Sequence, residues 1–411
     1  MRTITPFLFL LMLFIPEVSA ADVTAFASPD SSFQAVSGFI SGAQDSLLIA
    51  VYTFTSPEIM DMLIEKKEKG LEVEIIVDKS PAGGMEKSEE AILCTLLDNN
   101  IPVLLYEGPL NYMHAKYMLR DSSAVLLTSE NFGYAGFHPE GEYGNRGWGA
   151  IVHDTGIYNG LRGIYLEDRK GSKPFTCKLK DYTVSKWRTA GAYQKRFAKE
   201  DFKGQEVEII TSPDSLERLL RFINSANSSI MVQQFYIYRH WGPAKANATD
   251  AEPDPLLEAL ISRARNGVAV KVLLDSADYN MDEARGTSNH YTIEYINSVA
   301  EKERIPIEAK PIDLKKKGLV IAHNKGMVID GKAALVSSIN WNKNSVMENR
   351  EAGLIITGDA AGYYSGIFLD DWDGQDGKQG LGFWPAMISL AALLMIIIYF
   401  MRRKNKHAVE L

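Results

Sequence analysis

Residues 323–340, HNKGMVIDGKAALVSSIN, share a skeleton with residues 114–131, HAKYMLRDSSAVLLTSEN. Each reads His-x-Lys, four residues, Asp, six residues, a small hydroxyl residue, then Ser-x-Asn. His and Lys two positions apart point to the same face of an extended strand. The apolar runs Ala124–Leu127 and Ala333–Val336 predict a second, buried strand ending at the Ser and Asn. One unit offers an imidazole, an ammonium and an amide converging on one spot; two units offer a nucleophile and an acid. A lone His-x-Lys carries little weight among seven histidines, whereas the whole pattern at fixed offsets, found twice, is far beyond coincidence.

The chain around these units repeats once. Ser28-Pro29-Asp30 opens one half and Ser212-Pro213-Asp214 the other. Amphipathic helices are expected over Phe33–Ala43 and Ser215–Ala226, then apolar strands over Leu47–Phe54 and Ile230–Tyr238. Helices over Ser56–Lys69 and Pro255–Asn266 follow, each closed by a glycine, Gly70 or Gly267, before a strand ending at Asp78 or Asp275. Such βα alternation predicts an α/β layer structure with a mainly parallel sheet. From Tyr52 to Asp78 the spacing is 26 residues, but from Tyr236 to Asp275 it is 39. The excess falls in Arg239–Asp254, an Ala-, Pro- and Asp-rich loop expected to border the binding crevice, with His240 and Trp241 as substrate-rim residues.

The paired units resemble the HKD motifs of the phospholipase D superfamily. The resemblance continues into Glu348-Asn349-Arg350-Glu351 before AGLII, into Asn145-Arg146-Gly147 before WGAIV, and into the closing GIYLED from Gly163 and GIFLDDW from Gly366. It covers most of the chain between about residues 25 and 373. It implies a duplicated α/β fold, two mixed or parallel sheets flanked by helices and related by a pseudo-twofold axis, with one active site between the halves. The first half would span residues 21–170, a connecting segment 171–205, and the second half 206–373.

A phosphodiester needs positive charge around its oxygens, a nucleophile in line, and an acid opposite. Lys116, Lys325, Asn131 and Asn340 are suited to hold the non-bridging oxygens, without metal or cofactor. The resemblance implies a two-step reaction through a phosphohistidine, with His114 as nucleophile and His323 as acid and base. Asp121 and Asp330 match the motif carboxylates and are expected to stabilise the motif. Ser129 and Ser338 match the motif serines and are expected at the substrate, while Thr128 and Ser337 stand where the family usually has Gly. Glu351 is the candidate for orienting an imidazole through Nδ1. Gly147 stands at the matching position of the first half, so Glu140, Glu142 or Asp154 would have to substitute there.

Residues 1–20 join Arg2 to an apolar core and to Val18-Ser19-Ala20, a pattern that predicts a signal peptide cleaved after Ala20. Residues 383–401 form an uncharged stretch long enough to span a bilayer, followed by the basic tail 402–411. Either a retained single-pass helix with a cytoplasmic tail or a processed C-terminal signal fits that stretch. The formal charge is −8, and without the basic tail the exported body would be near −11. Such a balance disfavours a dedicated nucleic-acid binder. Cys94 and Cys177 permit one disulfide outside the cell, and two cysteines without a histidine cluster give no zinc site. Asn227 and Asn247 lie in sequons.

The expected function is that of a membrane-anchored, outward-facing phosphodiesterase hydrolysing or transphosphatidylating phospholipid headgroup diesters. A nuclease of the same superfamily and a scaffold without turnover are the competing readings.

Overall fold

The computed structural model of the chain describes residues 19–186, 189–241 and 252–373. The first half begins with β1 (Ser19–Ser28), α1 (Ser32–Ser41), β2 (Ser46–Val51), α2 (Pro57–Glu68) and β3 (Glu72–Asp78). It continues through α3 (Lys87–Asp98), β4 (Val103–Tyr106), β5 (Tyr117–Arg120), β6 (Ala124–Thr128), β7 (Gly147–His153), α4 (Thr155–Lys170) and β8 (Ser172–Pro174). The second half runs β9 (Glu200–Ser212), α5 (Ser215–Asn224), β10 (Ser229–Gln234), β11 (His240–Trp241), β12 (Glu252–Pro253), α6 (Pro255–Arg265) and β13 (Ala269–Leu274). Then come α7 (Asp278–Met281), α8 (Asn289–Glu303), β14 (Ile307–Pro311), α9 (Leu314–Lys317), β15 (Lys325–Ile329), β16 (Ala333–Ser337), α10 (Lys343–Met347), β17 (Glu351–Thr357) and α11 (Ala360–Asp373).

Local chemistry sets the ends of these elements. Ser56 caps α2 by accepting from the Ile59 amide at 3.3 Å, and Pro57 occupies the first turn, where no partner for its nitrogen is needed. Asp254 and Pro255 repeat the device on α6, with the Leu256 amide at 2.8 Å. Gly70 and Gly267 leave their helices at φ +92° and +85°, a region open to glycine at little cost.

The expected two sheets are one. Fifteen strands lie in the order β14-β13-β10-β15-β16-β17-β9-β1-β7-β6-β5-β2-β3-β4-β8. The halves meet where β1 and β9 pair antiparallel, with Val23 opposite Phe202 and Thr24 opposite Asp201. Reading outward from that seam, β1-β7-β6-β5-β2-β3-β4 mirrors β9-β17-β16-β15-β10-β13-β14. Within each half β2-β3-β4 and β10-β13-β14 are parallel, and the remaining pairings are antiparallel. One core packs α4 and α11 against sheet residues of both halves, including Val23, Trp148, Val207 and Leu354. The other side of the sheet carries a separate core in each half, under α1 to α3 and under α5, α6 and α8. The shared seam and core merge both halves into one compact unit.

Cys94 of α3 and Cys177 are joined by a disulfide with Cα atoms 5.2 Å apart, which ties the connecting segment to the first half. Trp241 differs from expectation. The short β11–β12 pair places it at the base of the inserted loop, where it is 7 % exposed and packed into the second-half core, so it is no rim residue. Apolar area drives the indole inward more strongly than its polar N–H holds it at a surface. Ser19 and Ala20 already pair with Val207 and Glu206, so cleavage after Ala20 would leave β1 beginning at Ala21. Residues 1–18, the tip of the inserted loop with Asn247, the stretch 383–401 and the tail 402–411 lie outside the described residues. Among the described residues no helix is long and apolar enough to cross a membrane.

Candidate active site

Each His-x-Lys segment enters the hairpin β5–β6 or β15–β16, and each is stitched to the opposite half. The His114 amide donates to the Arg350 carbonyl at 2.8 Å, and the Arg146 amide donates to the Ile321 carbonyl at 2.9 Å. Buried Asp78 and Asp275, at the ends of β3 and β13, accept from the Met113 and Ala322 amides, both at 2.6 Å. Two arginines fasten the crossing. Arg146 donates to Asp371 at 2.7 Å and to the Ser28 carbonyl, while Arg350 donates to Asp168 at 2.9 Å and to the Ser212 carbonyl. These are the NR segments and the closing acidic residues noted in the sequence, each Arg taking the Asp of the other half.

His114 therefore lies against Glu351 of the second half. Its Nδ1 stands 2.8 Å from Glu351 Oε2, and Glu351 also accepts from Ser338 Oγ at 2.5 Å, from Ser345 Oγ, and from Asn349 Nδ2 at 3.2 Å. Burial alone would raise the Glu351 carboxyl, but His114, Lys116 and the Ser338 hydroxyl overcome it and hold the group below the usual range. An ionised Glu351 fixes the proton on Nδ1 of His114 and leaves Nε2 with its lone pair.

His323 has a different partner. Its Nδ1 faces Glu130 Oε1 at 3.5 Å. Glu130, which sequence reasoning passed over, holds the place expected of Glu140, Glu142 or Asp154. Glu140 instead stands exposed beside His138, and Asp154 caps α4. Both imidazoles keep 12 % of their side-chain surface exposed, against 0 % for Glu351 and 2 % for Glu130. The carboxylates lie behind the rings and the rings reach outward.

Lys116 and Lys325 are fully buried, and each Nζ donates to the carbonyl of its own motif histidine. Burial pushes Lys116 down to about 7. Burial first and then the Lys116 charge drive Lys325 far below its ordinary value. Burial also lowers both histidines to about 4, and each lysine depresses the histidine of the other unit as well as its own. The four groups thus share one electrostatic cluster that an anion would relieve. Asn131 and Asn340 each keep a buried Oδ1 with no hydrogen-bond partner among the described residues, an acceptor that only a donor could satisfy.

Aromatic rings wall the site symmetrically. Tyr52 meets His114 edge-on at 4.7 Å and Phe235 meets His323 at 4.9 Å, so Phe235 and not Tyr236 is the counterpart of Tyr52. A cavity of ≈ 510 Å³ opens beside His323, lined by Thr53, Thr55, Tyr134, Tyr143 and Ile321 among others.

Other expected site residues stand elsewhere. Asp121 and Asp330 sit at the hairpin turns with φ +50° and +53°, at the far end of their strands from the histidines. Asp121 accepts the amides of Gln44, Asp45 and Ser46, and Asp330 those of Asn227, Ser228 and Ser229. They clamp the loops before β2 and β10 and touch no reacting group. Ser129 and Ser338 are fully buried, Ser129 Oγ accepting from the Trp148 amide and Ser338 Oγ donating to Glu351. Lys317, the last residue of α9, is buried and bonds Asp370, which removes it from the surface.

The family model described as "Cardiolipin synthase, PLD-like domain" matches residues 36–162 and 219–372. The chain is 22% identical over 359 residues to a cardiolipin synthase of Clostridium perfringens, covering 82% of this chain and 67% of that protein. It is 32% identical over 101 residues to the DISARM protein DrmC of Bacillus paralicheniformis, 24% of this chain and 41% of DrmC. Among solved structures, phosphatidylserine synthase of Haemophilus influenzae superposes with a TM-score of 0.59 at 12% identity, over 84% of each chain. Two copies of the motif, joined in one mirrored sheet and matched by the family model across both halves, make this chain a member of the phospholipase D superfamily.

Proposed function

We propose that the chain is a phosphatidyl-transferring phosphodiesterase that cleaves phospholipid headgroup diesters in two steps. Nε2 of His114 attacks phosphorus, forming a P–N bond as the P–O bond to the leaving alcohol breaks, and His323 gives its Nε2 proton to that oxygen. A water or alcohol then loses its proton to His323 and attacks phosphorus, and the P–N bond breaks. Lys116, Lys325, Asn131 and Asn340 hold the non-bridging oxygens. The observation that carries this assignment is the 2.8 Å contact from His114 Nδ1 to Glu351, which favours the charge that builds on a phosphorylated imidazole.

A lipid substrate is supported by the names of the relatives, cardiolipin synthase and phosphatidylserine synthase, and by the acidic balance of the chain. An outward-facing body is supported by the Cys94–Cys177 disulfide. The leader over residues 1–20 and the apolar stretch 383–401 complete the proposed topology, with the tail in the cytoplasm. The test assays the purified chain in EDTA against phosphatidylcholine vesicles, phosphatidylglycerol vesicles and single-stranded DNA side by side. Headgroup release or phosphatidyl transfer is expected. Cleavage of DNA alone would overturn the lipid assignment, and silence on all three would favour a scaffold.

A further inference from the structure

The two halves hold their histidines with carboxylates drawn from different places in the repeat. Gly147 and Glu351 are equivalent, since they open β7 and β17 and stand opposite Ser28 and Ser212. Glu130 and Ile339 are likewise equivalent, each between the Ser and Asn that close a motif. The carboxylate missing at 147 is therefore present at 130, and the apolar residue that fills 339 is buried in the second-half core. Space explains the coupling. A Cβ on Gly147 would stand 2.4 Å from Glu130 Oε1, 2.6 Å from its Cγ and 2.7 Å from Ser129 Oγ. A side chain at 147 would require Glu130 and Ser129 to move from these positions.

We propose that Glu130 is the positioning residue of His323, having exchanged places with the lost carboxylate at 147, and that it serves the acid and base half of the reaction only. The proposal rests on the phosphodiesterase reading above. Glu130 Oε1 and His323 Nδ1 are buried and have no hydrogen-bond partner among the described residues except each other's neighbourhood at 3.5 Å. Asn145 Nδ2 donates to Glu130 Oε2 at 3.0 Å and fixes the carboxylate in that direction. The contact is longer than the 2.8 Å of His114 with Glu351 and lacks its ring of hydroxyl donors. A ring held loosely suits a group that must take a proton from one oxygen and give it to another, whereas a nucleophile gains from rigid aim.

The test compares the parent chain with Glu130→Gln on two diesters, one releasing p-nitrophenol, which needs no proton, and one releasing an alkyl alcohol, which does. The first-turnover burst of p-nitrophenol is expected to persist, while turnover of the alkyl diester falls roughly 10²-fold. Equal loss on both substrates would overturn the proposal. The double variant Glu130→Ile with Gly147→Glu returns a carboxylate to the position that Glu351 occupies in the other half, and is expected to recover the alkyl reaction relative to Glu130→Ile alone. Should the parent chain turn over neither diester, the phosphodiesterase reading fails, and the positioning contact is then read by ¹⁵N NMR of the histidines. Lys325 and Lys116 depress the His323 ring and Glu130 opposes them, so Glu130→Gln should move its titration to lower pH. An unmoved titration rules the contact out.

Discussion

Glu351, the first residue of β17, holds Nδ1 of His114 at 2.8 Å from the opposite half of the molecule. Neither half contains both members of the pair, so the first step depends on the seam between β1 and β9 as much as on the motif itself. Replacing Glu351→Gln keeps the volume and removes the charge. The expected outcome is a loss of roughly 10²–10⁴ in kcat, with disappearance of the phosphate adduct on His114 when quenched enzyme is mapped by mass spectrometry. An adduct that persists undiminished would assign Glu351 to the fold alone.

The lysines set the direction of the pH dependence. Burial holds Lys116 down to about 7, so its positive charge is present below that value and lost above it. With the histidines lowered to about 4, His114 remains a neutral nucleophile well into the acid range, and His323 gains the proton it donates only when the negative charge of the bound diester raises it. kcat/KM is therefore expected to decline as pH rises through about 7, in contrast to an enzyme limited by an ordinary lysine. A rate that keeps rising above that point contradicts the assignment of Lys116 to the transition state.

Asp330 acts on stability. Its carboxylate accepts three successive amides ahead of β10, and although burial opposes the charge, those bonds lower the group to about 2 from 3.8. The folded value lies below the unfolded one, so the contribution is complete above the unfolded value and disappears as pH falls from there towards the folded one. Asp330→Ala is expected to cost about 1–2 kcal/mol at neutral pH, read by denaturant unfolding, while the kcat of the folded fraction is unchanged. A selective fall in kcat would return Asp330 to the chemistry.

Trp241 is expected to behave as a core residue. Trp241→Ala should lower stability by about 3–5 kcal/mol, seen as a lower midpoint in thermal unfolding, with KM for the lipid substrate unaltered in protein that remains folded. A raised KM at unchanged stability would restore the rim role that its position in the inserted loop suggests.

Much of the molecule was legible along the chain. The period of the apolar positions and the glycines after α2 and α6 mark the βα units, because each is a local rule of backbone and water. The repeated His-x-Lys pattern names both imidazoles and both ammoniums for the same reason, since two positions on a strand share a face. Pairing across the halves was not legible. The single sheet arises from β1 meeting β9, about 180 residues apart, an edge-to-edge match that no local propensity encodes. Likewise Trp241 reads as an exposed loop residue until β11 and β12 pair and turn it into the core.

The carboxylates divide the same way. Glu351 follows its motif at a recognisable distance, but its imidazole partner lies in the other half of the sequence. The exchange of Glu130 for the absent side chain of Gly147 was written in the two aligned halves, yet it acquires meaning only when β6 and β7 lie side by side. Which groups could carry the chemistry was readable along the chain, since functional groups and strand periodicity are properties of short segments. Which carboxylate faces which ring emerged only on folding, because it depends on long-range strand order and on the volume a missing Cβ leaves open.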